Sequence, residues 1–150
     1  MSQQNPIRIF VTHLWEESDD YLRVFEYLES ARNFFYRNLS RPDARPSGGK
    51  EAQKEQLREQ IRACEVVIAL SSLHPHDADL LAFQVLFAKA SDKPVLLLPG
   101  FGSGQAPPKA LADLSDAIVG WDERGIIDAI RREARHEDTT RWDVVEFKLD

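Results

Sequence analysis

Two uninterrupted apolar segments constrain the fold of this chain more than any other feature. Val66–Leu70 reads VVIAL and Val95–Leu98 reads VLLL, and neither segment contains a polar residue. A strand with one solvated face alternates apolar and polar residues, whereas a strand covered on both faces need not alternate. The two segments therefore predict a parallel sheet with helices on both of its faces.

Strands and helices alternate along the rest of the chain. The strand predictions are residues 7–11, 66–70, 95–98 and a short last strand at 117–119. The helix predictions are a helix after Ser18 and further helices at 50–62, 78–90 and 125–134. This order predicts an α/β fold, a three-layer sandwich with a parallel sheet of four to five strands. Ligands of such sheets bind beyond the carboxyl ends of the strands, which directs attention to residues 12–16, 71–79 and 99–105.

Length and composition predict one domain in a reducing compartment. The 150 residues form a single domain with a core at about 7–133, and 134–150 is a polar C-terminal extension in which Val144 and Phe147 hint at an added strand. The one cysteine, Cys64, cannot form an internal disulfide. No secretory signal precedes the first strand, and no apolar stretch approaches the ~18 residues of a membrane span. We expect a cytoplasmic protein that does not bind membranes.

The charge distribution narrows the class of ligand. A net charge of -6 argues against a nucleic-acid partner, because phosphate contacts depend on clustered Lys and Arg. A small anionic ligand remains compatible with this charge, since Arg32, Arg37, Arg41 and Arg45 fall in a stretch whose single acid is Asp43.

Three further patterns do not predict a catalytic or metal site. The Gly-rich segment 99–104 lacks the spacing of a phosphate-binding loop and reads as a surface loop. His74 and His76 flank a proline and lack a third ligand of defensible spacing, so no metal site is predicted. Ser71, Ser72 and His74 lack the flanking glycines of a nucleophile elbow.

Two features suggest a ligand site. His13 and Trp15 follow the first strand and Ser71 follows the central one, and an aromatic ring beside a histidine suits stacking on a base or a nicotinamide ring. The alternative is that Trp15 simply covers the core. Gln84 is almost alone as a polar residue on the apolar helix 78–90, so it is hydrogen-bonded there, faces a cleft or faces a partner chain.

The order of motifs resembles bacterial TIR-like domains of the Thoeris type. The segments that carry the resemblance are IFVTHLW at 9–15 followed by DDY at 19–21, FYRNLS at 35–40, QIRACEVVI at 60–68, KPV at 93–95 and VGW at 119–121. Together they cover roughly residues 7–133. The resemblance implies a flavodoxin-like fold, a role in signalling or anti-phage defence, and, in enzymatic members, cleavage of the nicotinamide–ribose bond of NAD+.

The resemblance also implies where the catalytic glutamate of such enzymes would lie. It aligns that glutamate with Gln84 and the preceding family tryptophan with Leu80. Glutamine keeps the shape but loses the charge that stabilises an oxocarbenium-like transition state, which predicts an inactive site. Asp79 is a weak substitute candidate. Nucleoside deoxyribosyltransferase-like domains are similar over residues 82–88 and 93–95, and there too Gln84 replaces the glutamate.

These readings combine into one expectation. The chain is a TIR-like domain that senses a nucleotide or binds a protein partner; the alternatives are an NAD+ glycohydrolase or ADP-ribose cyclase, or a deoxyribosyltransferase-like enzyme. No cofactor is required, and NAD+ or a related nucleotide is the expected ligand or substrate. The expected site residues are His13, Trp15, Arg37, Asn38, Ser71 and Gln84 around one mouth. The surplus of apolar residues on helix 78–90 predicts self-association or a protein partner.

Overall fold

The computed structural model describes residues 3–136. Its five strands form a parallel sheet in the order β2-β1-β3-β4-β5. The strands are β1 (Ile7–Val11), β2 (Tyr36–Asn38), β3 (Val66–Leu70), β4 (Val95–Leu98) and β5 (Ala117–Ile118). The predicted α/β class is confirmed as a flavodoxin-like three-layer sandwich. The hint of a strand at Val144 and Phe147 lies outside the described residues.

The two central strands are buried on both faces, as their sequences predict. Every residue of β3 and β4 is buried. Val67 and Leu70 of β3 pair in register with Val95 and Leu98 of β4. On its other side β3 pairs with β1, which brings the ends of these strands to one edge of the sheet.

Five α-helices cover the sheet. They are α1 (Asp19–Ser30), α2 (Lys50–Arg62), α3 (Ala78–Ala90), α4 (Lys109–Leu114) and α5 (Glu123–Arg135), with a 3-10 turn at Ser71–Leu73. Helix α1 packs with α5, whereas α3 packs with α2 and α4. Within residues 3–136, no helix combines the length and apolar character that crossing a bilayer demands.

Side-chain caps mark the starts of α1, α3 and α5. The Ser18 hydroxyl accepts the Tyr21 N–H at the start of α1, the Asp77 carboxylate accepts the Leu80 N–H at the start of α3, and the Asp122 carboxylate accepts the Gly125 N–H at the start of α5. These caps fix where α1 and α3 begin, and both beginnings lie beside the carboxyl ends of the strands.

The apolar surplus of α3 is partly covered by cationic side chains. Phe83 and Phe87 stack on each other, with ring centroids 6.2 Å apart. Lys54 and Arg58 of α2 lie over the Phe83 ring, and Arg62 lies over the Phe87 ring. Leu86 remains 52% exposed. The expectation of self-association or a protein partner at this helix stays a prediction.

Candidate functional site

Gln84 fastens α3 to the end of β1. Its side-chain Oε1 accepts the His13 N–H at 3.1 Å, and its Nε2 donates to the His13 carbonyl at 2.9 Å and to the Leu80 carbonyl at 3.2 Å. The side chain is fully buried. The sequence left open whether Gln84 is hydrogen-bonded, faces a cleft or faces a partner chain. In the structure it is hydrogen-bonded, and its amide pairs with both the N–H and the carbonyl of His13.

The His13 ring continues this clamp toward α2 and the loop after β2. Its Nδ1 accepts the Trp15 N–H at 3.1 Å, which leaves the proton on Nε2 to be donated to Gln60 Oε1 at 3.0 Å. The same Gln60 oxygen accepts the Arg41 N–H at 2.8 Å. Burial lowers the pKa of His13 to about 4 against the opposing effect of the Gln60 hydrogen bond, so the ring is neutral at physiological pH.

Two cavities open at the carboxyl edge of the sheet, and together we call them the mouth. The larger, of about 830 Å³, is lined by residues after β1, β3 and β4, among them Ser71, His74 and Phe101. The smaller, of about 510 Å³, is lined by Trp15 and by residues of the loop after β2. Glu16 and Glu17 line both cavities and so join them.

The larger cavity carries negative charge. Glu16, Glu17, Asp19 and Asp20 line it, and no Lys or Arg does. Within the part of the chain that the structure describes, the first three make no ion pair, whereas Asp20 pairs with Arg23 at 3.0 Å. Asp20 also accepts the Phe101 N–H at 3.3 Å, and the Arg23 guanidinium lies 3.8 Å from the centre of the Phe101 ring. These contacts hold the Gly-rich segment after β4 against α1.

The smaller cavity is lined by hydroxyl and amide groups that are hydrogen-bonded to one another. The buried Tyr21 and Ser40 hydroxyls are 2.8 Å apart, and Asn38 Nδ2 donates to the Tyr21 hydroxyl at 3.0 Å. Asn38 Oδ1 accepts from the N–H and the hydroxyl of Ser40. The three side chains form a closed ring of hydrogen bonds, which fixes the orientation of the Asn38 amide.

The structure distributes the expected site residues over three environments. Trp15 and Asn38 line the smaller cavity, and Ser71 lines the larger. His13 and Gln84 are buried behind the mouth and line neither cavity. Arg37 is exposed on the edge strand β2 and lines neither cavity, and Asp79 is exposed on the first turn of α3, also outside both. Among residues 3–136, no group of His, Cys, Asp and Glu is arranged to hold a metal ion.

Sequence reasoning missed several residues that shape the site. Gln60 lies among good helix formers and nothing in its sequence context marks it as the partner of a histidine 47 positions away. Asp20 lies in the first turn of α1, and nothing around it in the sequence indicates that it also anchors the segment after β4. The segments that follow parallel strands converge at one edge of the sheet, and this rule could have directed attention to Asp20, which contacts the segment after β4.

Comparisons with known proteins identify no family for this chain. No protein-family model matches the chain. No curated protein matches it either. Among solved structures, the chain is similar to the CMP N-glycosidase BcmB of Clostridium botulinum, with 16% identity, a TM-score of 0.48, and coverage of 82% of this chain and 96% of that one. A likeness at this level carries no conclusion about the chemistry of this chain.

Proposed function

We propose that this chain is a TIR-like binding module that takes a nucleoside-type ligand in the mouth and does not turn it over. The resemblance of its motifs to TIR-like domains suggests the ligand class, NAD+ or a related nucleotide, and a role in a bacterial defence or signalling pathway. The observation that carries the non-catalytic part of the proposal is the clamp between Gln84 and the His13 main chain.

A glutamate could not replace Gln84 in this arrangement as an ionised group. Its carboxylate would accept the His13 N–H but could donate nothing to the His13 carbonyl, and its charge would lie fully buried against that oxygen. Residue 84 is therefore a positioning residue for the end of β1 and has no contact with the mouth. This argues equally against a TIR-type glutamate and against the nucleophile of a deoxyribosyltransferase at this position.

The negative charge of the mouth favours the cationic nicotinamide end of such a ligand over its phosphate groups. Three unpaired carboxylates attract a cationic ring and repel phosphate groups, and carboxylates also accept hydrogen bonds from ribose hydroxyls. The nicotinamide ring of NAD+ carries a positive charge, whereas ADP-ribose lacks that ring. We expect NAD+ and nicotinamide riboside to bind more tightly than ADP-ribose.

The binding test compares two charge reversals of the same kind. Calorimetric titration with NAD+ should give saturable binding to the wild-type chain, and Glu17→Arg should weaken it at least tenfold. Glu26→Arg is the matched control, because Glu26 is also an exposed glutamate, lies on α1 and lines neither cavity. Equal loss in both variants, or no binding of NAD+ or nicotinamide riboside by the wild-type chain, would contradict the proposal.

A catalytic alternative is favoured by one observation, the buried carboxylate of Asp20 in the wall of the larger cavity. A carboxylate there could stabilise positive charge that develops on a ribose as its base departs, the reaction of an NAD+ glycohydrolase. Chromatographic detection of nicotinamide released from NAD+ separates the two functions. We expect no release; release that Asp20→Asn abolishes and Asp79→Asn leaves intact would establish the alternative.

A further inference from the structure

Trp15 has a main-chain conformation that disfavours its side chain. Its φ is 68°, in the left-handed region. The other non-glycine residues with positive φ between residues 3 and 136 are Asn33, Asp92 and His136, which are types that tolerate this region. A bulky aromatic residue is an outlier there, and the hydrogen bond from its N–H to His13 Nδ1 helps to hold it in place.

The Trp15 side chain has a second unfavourable feature. Its indole Nε1 is buried, and among the described residues it has no hydrogen-bond acceptor. Trp121 shows the ordinary situation, because its Nε1 donates to the Pro99 carbonyl at 2.7 Å. A buried donor without an acceptor loses the hydrogen bonds it makes to water in the unfolded chain, so this arrangement opposes folding.

Both features fall on a residue of the smaller cavity that directly precedes the two residues joining it to the larger one. Trp15 lines the smaller cavity, and the next two residues line both. Its ring meets the His13 ring edge-on, with centroids 4.9 Å apart. Main-chain strain and unpaired polar groups persist in folded proteins where a function maintains them, and here they coincide at the proposed ligand site.

We propose that Trp15 is the ligand-responsive residue of the mouth and that its Nε1–H donates to an acceptor on the bound ligand. The acceptor is a carbonyl oxygen or ring nitrogen, such as the carboxamide of a nicotinamide ring. Ligand binding reorients the indole, which already lines the smaller cavity, so that the buried Nε1–H faces the ligand and is paired. This inference rests on the proposed function and assigns the ligand contact to the indole N–H rather than to the face of the ring.

The first test observes the donor directly in the wild-type chain. Proton–nitrogen NMR resolves the indole N–H signals, which Trp15→Phe, Trp121→Phe and Trp142→Phe assign. At saturating NAD+, the Trp15 indole proton should move downfield as it gains an acceptor, while the Trp121 proton, already bonded to Pro99, should stay within its line width. A Trp15 signal that does not move at saturation overturns the inference.

The second test separates affinity from stability. Trp15→Phe keeps an aromatic ring and removes the unpaired donor, so its melting temperature should equal or exceed that of the wild type while its affinity for NAD+ falls about tenfold. Trp121→Phe is the matched control. It loses the hydrogen bond from Trp121 to the Pro99 carbonyl, so its melting temperature should fall, while its affinity for NAD+ should stay within twofold of the wild type.

The two proposals fail in distinguishable ways. Equal affinity of Trp15→Phe and wild type for NAD+ overturns the donor role and leaves the proposed function standing. A wild-type chain that binds neither NAD+ nor nicotinamide riboside overturns the proposed function itself.

Discussion

The two ends of β1 are fastened by opposite chemistry. At the amino end, the Glu65 carboxylate accepts from the main-chain N–H and the guanidinium of Arg8, and it also pairs with Arg135. At the carboxyl end, the neutral side chains of Gln84 and Gln60 hold His13. Charged groups bind the strand where no ligand is expected, whereas neutral groups bind it behind the mouth. The unpaired carboxylates of the mouth take no part in holding the strand, and under the proposed function they act on the ligand.

The pKa values express the same contrast. The hydrogen bond from Arg135, together with those from Arg8, lowers the pKa of Glu65 to about 2 against the effect of its burial. Burial lowers the pKa of His13 to about 4. At the amino end of β1 the folded state therefore favours the ionised form of Glu65. At the carboxyl end it favours the neutral form of His13.

The largest effect should come from removing the neutral clamp. Gln84→Leu leaves the N–H and the carbonyl of His13 buried without partners, so we expect the free energy of unfolding to fall by about 3 kcal/mol. Urea unfolding measures this difference. Gln53→Leu makes the same substitution on a partly exposed position of α2 and should change the free energy by less than about 0.5 kcal/mol.

Gln84→Glu sharpens the comparison further. Burial would raise the pKa of the introduced carboxyl, so the variant should become less stable as the pH rises above the ordinary pKa of a glutamate. Stability of Gln84→Glu that matches the wild type at pH 8 would mean that the clamp does not require an amide.

The wild-type chain should lose stability on acidification in two adjacent windows. Below pH 6.5 the unfolded His13 takes up a proton that the folded ring resists down to about pH 4, so stability falls across that interval. Below the ordinary pKa of about 4.5, the unfolded Glu65 takes up a proton that the folded carboxylate resists down to about pH 2, so stability falls there as well. Each group contributes a slope of at most about 1.4 kcal/mol per pH unit.

Two variants assign these windows. In urea unfolding measured from pH 3 to pH 8, His13→Asn should flatten the upper window and leave the lower one, and Glu65→Gln should do the reverse. A single variant that flattens both windows would show that the two ends of β1 do not titrate independently.

The sequence predicted the sandwich well because apolar patterns report burial directly. The runs at Val66–Leu70 and Val95–Leu98 specified strands covered on both faces, and they are. The edge strand Tyr36–Asn38 was not predicted, because its three residues are partly or fully exposed and carry no apolar pattern. Helix Lys109–Leu114 was also missed, since it is short, follows two prolines and buries only Leu111.

The site was harder to predict because its contacts join side chains far apart in the chain. The sequence marked Gln84 as a polar residue in need of a partner, but no local pattern names a main-chain group 71 positions away. It marked Trp15 as an aromatic residue at a strand end, but neither the left-handed φ nor the unpaired indole N–H can be read from residue types. Convergence at the carboxyl edge is a property of topology; the hydrogen bonds there depend on exact side-chain packing.

The smallest effect should come from Asp79. This residue lies exposed on the first turn of α3, outside both cavities, where a negative charge stabilises the helix end only slightly. Asp79→Asn should lower the free energy of unfolding by less than about 0.5 kcal/mol and leave the affinity for NAD+ unchanged. A tenfold change in the affinity for NAD+ would show that Asp79 belongs to the ligand site.

Arg135 couples the last turn of α5 to a segment that is far away in the chain. Its Nη2 donates to the main-chain carbonyls of Pro6 at 3.2 Å and Asn5 at 3.5 Å, so the last turn of α5 meets the segment that enters β1. Any motion that lifts this turn of α5 therefore also loosens the entry to β1, at the edge of the sheet opposite the mouth.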